Sequence, residues 1–386
     1  MMLNLLFVKN EVDCKYFDLR LKEIEMKIPI LMNTDDNFIS QLRTAIVSAR
    51  KATPYNHILD VTILCNKELK KYSRDRIYNL KDMYKNLKIS FYEVSPEDFV
   101  NTKSSNEHIS EASYYRLIAS NAIEEDKCLY IDGDLVVDTD LSELYDIDMG
   151  DNLIAGVADM NIIMHPNLTE RYADACKIDS FEDYINCGVM ILNLKKIREK
   201  EIIHKFLAEA NEGCNWWLDQ DVLNRVCHGQ IKQIDWNYNF IPIYTEEQYG
   251  YFCGVLESET KGKIYHWAGP QKPWNNIDVS YAKKWWRIAE EAIEPEVYKE
   301  IYTIAEKEAQ KKSLRRIAEI CREEVVIVII GYSDHGVHVF EKLRKEGIKS
   351  RILYGDNSIE KCKRHAVREK VLSVEKSVEH YLHGIL

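Results

Sequence analysis

Apolar positions along this chain follow two rhythms. Continuous runs at residues 28–32, 61–65, 89–94, 127–131, 154–158 and 189–194 read as buried strands bounded by polar residues. Between them the spacing turns helical. Ile39, Leu42, Ile46 and Ala49 share one helix face, and Leu69, Tyr72, Leu80 and Tyr84 form a less regular one behind Asn66, which can cap it. Ser110 opens a further helix carrying Leu117, Ile118 and Ala122. This alternation predicts an α/β fold, a mostly parallel sheet covered by helices. Ligands of such sheets bind beyond the carboxyl ends of the strands. Polar clusters fall there: Asn33-Thr34-Asp35-Asp36-Asn37 after the first strand and Asp132-Gly133-Asp134 after the fourth.

Near residue 280 the pattern changes. Residues 282–322 read as charged helix anchored by Trp285, Trp286, Ile301, Ile304 and Ile317. A second strand–helix–strand signal follows, at 325–330, 337–346 and 350–354. The expected organisation is an N-terminal extension at 1–25, with Met26 an alternative start, a large α/β domain at 26–280, a helical connector at 281–324 and a small α/β lobe at 325–386. In the lobe, Gly331-x-Ser333-x-x-Gly336 with Asp356 beyond it has the layout of a dinucleotide-binding turn, although Ser333 replaces the middle glycine. That makes it a Rossmann-like half-domain, for which a structural or docking role is expected over a bound nucleotide.

Composition narrows the function classes. The net charge of −11 over 386 residues argues against a general nucleic-acid binder, because phosphate contacts need a basic surface. The longest strongly apolar run, 325–330, is far short of the ~20 residues of a membrane span, and the first residues lack a secretory layout. The 10 cysteines show no C-x-x-C pair, which suits a reducing cytosol rather than a disulfide or zinc scaffold. A cytoplasmic protein is expected. Lys283, Lys284, Trp285, Trp286 and Arg287 offer two readings: a peripheral contact at the inner membrane face, or tryptophans packed back onto the large domain.

Two carboxylates one glycine apart, Asp132 and Asp134, repel unless a cation or proton neutralises them, and their oxygens suit Mg²⁺ or Mn²⁺. A solvated turn is the plainer alternative. Far along the chain, His266-Trp267-Ala268-Gly269-Pro270-Gln271-Lys272-Pro273-Trp274 supplies an imidazole, a glycine that lets backbone approach a phosphate, and a lysine to meet a diphosphate. Asp219-Gln220-Asp221 reads as a helix start, and Asn186-Cys187-Gly188 as a polar turn entering a strand. Arg116 alone reads as a surface cation.

In order and spacing, the segments at 35–38, 113–117, 132–134, 186–189, 219–221 and 266–274 resemble glycosyltransferase family 8, over about residues 26–282. The resemblance implies a GT-A fold for the large domain, a UDP-hexose donor and Mn²⁺ or Mg²⁺. It implies that Asp132, Asp134 and His266 hold the metal, and that Asn33, Thr34, Asp35 and Asn37 hold uracil and ribose. Arg116, Asp159, Asn186 and Asp219 would grip the donor sugar, and Gly269 and Lys272 the diphosphate. Gln220 would lie beneath the anomeric carbon, with Asp219 as the other catalytic residue. Asn33-Thr34 and Phe38 depart mildly from the usual pattern. The implied reaction is hexosyl transfer, galactose or glucose, to a glycan, glycolipid or glycoprotein. A carboxamide is a weak nucleophile, so a same-face route is expected, with Asp219 or Asp221 as nucleophile the rival. A silent sugar-nucleotide scaffold and a sugar nucleotidyltransferase are the alternative functions.

Overall fold

The computed structural model describes residues 26–95, 99, 111–165, 181, 183–212, 217–243, 262–320, 326–330, 345, 351–355 and 371–372. These divide into two compact units, one within Met1–Pro273 together with Val279–Lys299, the other within Trp274–Asp278 and Glu300–Leu386.

The first unit is built on β1 (Lys27–Asn33), β2 (Ile58–Cys65), β3 (Leu87–Glu93), β4 (Cys128–Ile131), β6 (Ile154–Ala158), β7 (Ile185–Leu192) and β8 (Ile231–Gln233). They form one sheet in the order β3-β2-β1-β4-β7-β6-β8. Strands β3 to β4 run parallel, and β7 is antiparallel to both of its neighbours. The central parallel strands β1 and β4 carry near-continuous apolar runs because both of their faces are buried, whereas the edge strand β3 alternates. Ile28, Ile30, Leu31 and Met32 of β1 are all buried. The six sequence-predicted strands each fall on one of these. β5 (Leu135–Val137) and β8 are added, three residues each and too short to show a pattern.

Helix α1 (Ile39–Ala52) is buried from Ile39 to Arg50, polar residues included. It is enclosed because α4 (Ala282–Ala292) packs on it: Arg43 Nε donates to Ala292 O at 2.6 Å. Arg50 is tolerated in this core because its guanidinium donates to the carbonyls of Thr53, Pro54, His57 and Asn86. Trp285 and Trp286 of α4 are 0% and 7% exposed and meet edge-on, ring centroids 4.8 Å apart. Truncating such a ring costs about 3–5 kcal/mol. The tryptophans therefore serve the core, the second of the two readings of this segment. No helix among the described residues is long and apolar enough to cross a membrane.

A small second sheet positions the site. β5 pairs antiparallel with β9 (Ile264–His266), with Leu135 opposite His266. Two motifs distant in sequence are thus joined in register.

In the second unit, β10 (Val326–Ile330), β11 (Arg351–Gly355) and β12 (Val371–Leu372) form a parallel three-stranded sheet. Gly331, Ser333, Gly336 and Asp356 lie outside the described residues, as does the segment before Met26.

Candidate active site

Asp132 leaves the end of β4 and its backbone N–H donates to Gly188 O at 2.9 Å. Asp134 O accepts from Trp267 N–H at 3.1 Å, which clamps the turn onto the strand carrying His266. His266 Nε2 lies 3.2 Å from Asp134 Oδ1 and 3.8 Å from Asp132 Oδ2. One ligand atom of each residue falls within 4.8 Å of the others. Two glycines make this approach sterically available. A Cβ on Gly133 would sit 2.8 Å from Phe38 Cε1, so the loop after β1 closes on the acidic turn only over a glycine. A Cβ on Gly188 would sit 2.2 Å from His266 Cε1 and 3.0 Å from Asp132 Oδ2. Gly188 lies where β7 loses register with β6: Val157 pairs with Asn186 but Gly156 with Met190. The polar turn expected at 186–188 is this irregularity within a strand that begins at Ile185.

Charge is matched on both sides of the cluster. Arg116 is buried. Its guanidinium donates to Asp132 Oδ1 at 3.0 Å and Cys187 O at 2.6 Å, and lies over the Tyr130 ring, 4.1 Å from its centroid. Burial opposes its charge, but Asp132 and Asp219 outweigh burial and hold its pKa above the usual arginine value. This is no surface cation. Lys272 Nζ donates to Asp134 Oδ2 at 2.5 Å and Trp267 O at 2.6 Å. Burial would raise the Asp134 pKa; Lys272 and His266 instead drive it well below the usual carboxylate range. Asp219 behaves oppositely. Its Oδ2 is 2.9 Å from Arg116 Nε, yet receives no hydrogen bond. Burial dominates and pushes its pKa up to about 7.

The second part of the site is held by hydrogen bonds rather than ion pairs. Asp159 caps α2 (Met160–Met164), its Oδ1 accepting from Asn161 N–H at 2.9 Å and Ile162 N–H at 3.4 Å. Its Oδ2 accepts from Asn186 Nδ2 at 3.2 Å and Gln220 Nε2 at 3.1 Å. Gln220 Oε1 accepts from Cys187 N–H at 3.1 Å, so both ends of this half-buried amide are anchored. Gln220 lies in the first turn of α3 (Asp219–Cys227), entered through Leu218 at φ 52°. A non-glycine residue in that region costs on the order of 1–3 kcal/mol, strain of a kind that collects at functional sites. Asp221 is fully buried, with Tyr184 OH donating to Oδ1 at 2.7 Å and Trp217 N–H to Oδ2 at 2.8 Å. Each oxygen thus accepts a hydrogen bond, one from a side chain and one from the backbone, which anchors Asp221 within the fold.

The loop after β1 borders the acidic turn through Phe38. Asn33 Nδ2 donates to Ala112 O, Thr34 Oγ1 to Asp35 O, and Asp35 Oδ1 accepts from Asn37 N–H. Gly269, at φ 101°, adopts a backbone conformation that side chains disfavour. The structure thus gathers Asp132, Asp134 and His266 in one cluster, and Arg116, Asp219 and Lys272 directly around it. Asp159, Asn186 and Gln220 are gathered in an adjoining network, and Asn33, Thr34, Asp35 and Asn37 at the edge of β1.

The donor set fits a divalent cation. Two carboxylates and one imidazole converge, and His266 Nδ1 is engaged 2.8 Å from Asn239 Oδ1, which leaves Nε2 facing the carboxylates. Asn239, 1% exposed, escaped the sequence reading, as did Tyr130, whose hydroxyl lies 2.6 Å from both Asp132 Oδ1 and Asn33 Oδ1. Tyr130 had a signal, its place one residue before Ile131-Asp132. Asn239 sits in Trp236-Asn237-Tyr238-Asn239, which nothing in the sequence marks.

Comparison with known proteins agrees with this architecture. A protein of Haemophilus influenzae named as a glycosyltransferase is 31% identical over 252 residues, 64% of this chain and 72% of the relative. Glycosyltransferase GlyF of Streptococcus pneumoniae is 30% identical over 186 residues, but the match spans 46% of this chain and only 42% of GlyF. Among solved structures, the galactosyltransferase LgtC in complex with donor and acceptor sugar analogues superposes with a TM-score of 0.61 at 26% identity, over 71% of this chain and all of LgtC. The bifunctional glycosyltransferase WbbM shares the fold, with a TM-score of 0.62 at 23% identity, over 73% of this chain and 52% of WbbM. The sequence model of glycosyl transferase family 8 matches residues 29–278, the span that holds every residue of the site. With its GT-A-like sheet and acidic turn, the chain belongs to glycosyltransferase family 8.

Proposed function

We propose that this chain is a retaining, Mn²⁺-dependent hexosyltransferase moving galactose or glucose from a UDP-sugar to a hydroxyl of a glycan, glycolipid or glycoprotein. The observation carrying the reading is the convergence of two carboxylates and an imidazole within 4.8 Å, one bulge of β7 away from an anchored glutamine. Asp132, Asp134 and His266 would hold Mn²⁺, or Mg²⁺, and the bound ion would neutralise charge on the departing diphosphate. Lys272, now on Asp134, would give its charge to that diphosphate, which the left-handed backbone at Gly269 lets approach closely. Asn33, Thr34, Asp35 and Asn37 would hold base and ribose. Arg116, Asp159, Asn186 and Asp219 would orient the hexose.

Gln220 favours a same-face route. A carboxamide is a weak nucleophile, and this one is fixed by Cys187 N–H and Asp159. Its carbonyl oxygen keeps one lone pair to face the developing cationic centre. The acceptor hydroxyl would enter from the side the diphosphate leaves, its proton passing to the leaving phosphate oxygen. A solved LgtC in which an active-site glutamine is replaced by glutamate supports placing a glutamine at the reacting centre. Proton NMR of UDP-galactose or UDP-glucose incubated with Mn²⁺ and this protein tests the proposal. The sugar released or transferred should keep the donor's anomeric configuration; an initially inverted product would contradict it.

A further inference from the structure

We propose that Asn239 is a positioning residue for the metal site. It ends a hydrogen-bond chain, begun at Asp159, that keeps the proton of His266 on Nδ1 and leaves Nε2 free as a ligand. The inference rests on reading Asp132, Asp134 and His266 as a metal site.

The polarity of every link follows from the one before. Asp159 is an acceptor whose Oδ1 already takes two helix N–H groups. Asn186 must therefore turn its NH₂ to Asp159 Oδ2, at 3.2 Å. That leaves Asn186 Oδ1 as the acceptor on its other side, where Gly188 N–H, a donor only, meets it at 3.1 Å. Asn239 then has to present its NH₂ to the same oxygen, at 2.8 Å. Its own Oδ1 is thereby aimed at His266 Nδ1, at 2.8 Å, and a carbonyl oxygen can only accept. The imidazole must carry a proton on Nδ1. Its Nε2 faces Asp134 Oδ1 at 3.2 Å and Asp132 Oδ2 at 3.8 Å. With Asn239 at 1% and His266 at 3% exposure, water has little access to supply alternative partners.

The arrangement has a consequence for the reaction. Asp159 also accepts from Gln220 Nε2, so one capping carboxylate orients both the glutamine at the sugar and, through two asparagines, the histidine at the metal. Outer partners of metal-bound histidines typically alter metal affinity 10–100-fold when removed.

Two measurements decide the matter. In metal-free protein labelled with ¹⁵N-histidine, the His266 signals, identified by their loss in His266→Gln, should report a proton on Nδ1. A neutral ring protonated only on Nε2 would overturn the proposal. Second, Mn²⁺ titration calorimetry on variants checked for folding by near-UV circular dichroism should show affinity about 10–100-fold weaker in Asn239→Leu. Asn239→Asp, which still accepts from Nδ1–H, should stay within about threefold of wild type, while its turnover falls because a carboxylate cannot donate to Asn186. A folded Asn239→Leu with wild-type Mn²⁺ affinity would overturn the proposal. Wild type that binds no Mn²⁺ would defeat the metal reading itself, and the nitrogen measurement would still judge the chain.

Discussion

The two halves of the site are assembled by different forces. Around Asp132 and Asp134 the partners are charges, Arg116 on one carboxylate and Lys272 on the other. Around Asp159, Asn186 and Gln220 they are neutral amides and backbone groups with their donors and acceptors matched. An ion pair to a lysine is exchangeable: a lysine that neutralises Asp134 can neutralise a diphosphate instead. A matched amide network admits one arrangement, because reversing any member sets donor against donor. The charged half is thus suited to receiving ligands, and the amide half to holding geometry while they react.

The largest expected effect removes a carboxylate from the charged half. Asp134→Asn should lower turnover at least ~10³-fold, about 4 kcal/mol of transition-state stabilisation, with little change in melting temperature. Retained turnover would break the distinction between the halves. Next comes Gly188→Ala, where the two halves meet. The added methyl would press on His266, so Mn²⁺ affinity measured by calorimetry should fall about 10–100-fold in a protein that still folds. Lys272→Ala should raise the donor KM about tenfold, as expected for a lost charge-assisted contact. Because Asp134 is then free, the donor-free protein should bind Mn²⁺ more tightly than wild type; weaker binding would show that Lys272 supports the metal rather than competing with it.

A pH dependence of stability completes the comparison. Burial pushes the Asp219 pKa up to about 7 from an ordinary value of 3.8. The folded state therefore holds this proton more tightly than the unfolded chain. The resulting contribution to stability is present at low pH and is lost as pH rises from about 4 through about 7. Denaturant melts of metal-free protein across that window should show a decline that Asp219→Asn flattens. An unchanged slope in the variant would place the cause elsewhere.

The charged half was the more legible in sequence, for a physical reason. A strand delivering Asp132-Gly133-Asp134 to a sheet edge, and a His-x-x-Gly-x-x-Lys run, are local patterns whose residue types already imply the chemistry. The central parallel strands β1 and β4 were readable because burial on both faces leaves continuous apolar runs. What sequence could not show was pairing at a distance. β5 is three residues long, and its partnership with β9, which sets His266 opposite Leu135, exists only in three dimensions. Arg116 looked like a surface cation because Asp132 and Cys187 O, to which it donates, and Asp219, with which it forms an ion pair, come from other elements. Asp221 looked interchangeable with Asp219 until their hydrogen bonds separated them: both oxygens of Asp221 accept, from Tyr184 and Trp217, whereas Asp219 keeps one oxygen without a hydrogen bond. Asn239 carries no motif at all.

The central claim is that the Asp132–Asp134–His266 cluster serves metal-dependent hexosyl transfer. The most direct test measures UDP released from UDP-galactose and UDP-glucose by the wild-type chain, with Mn²⁺ and again after chelation. Release that requires Mn²⁺ from at least one of these donors is the predicted result. Equal release in chelator would contradict the claim, as would no release from either donor alongside pyrophosphate formation from UTP and a sugar phosphate.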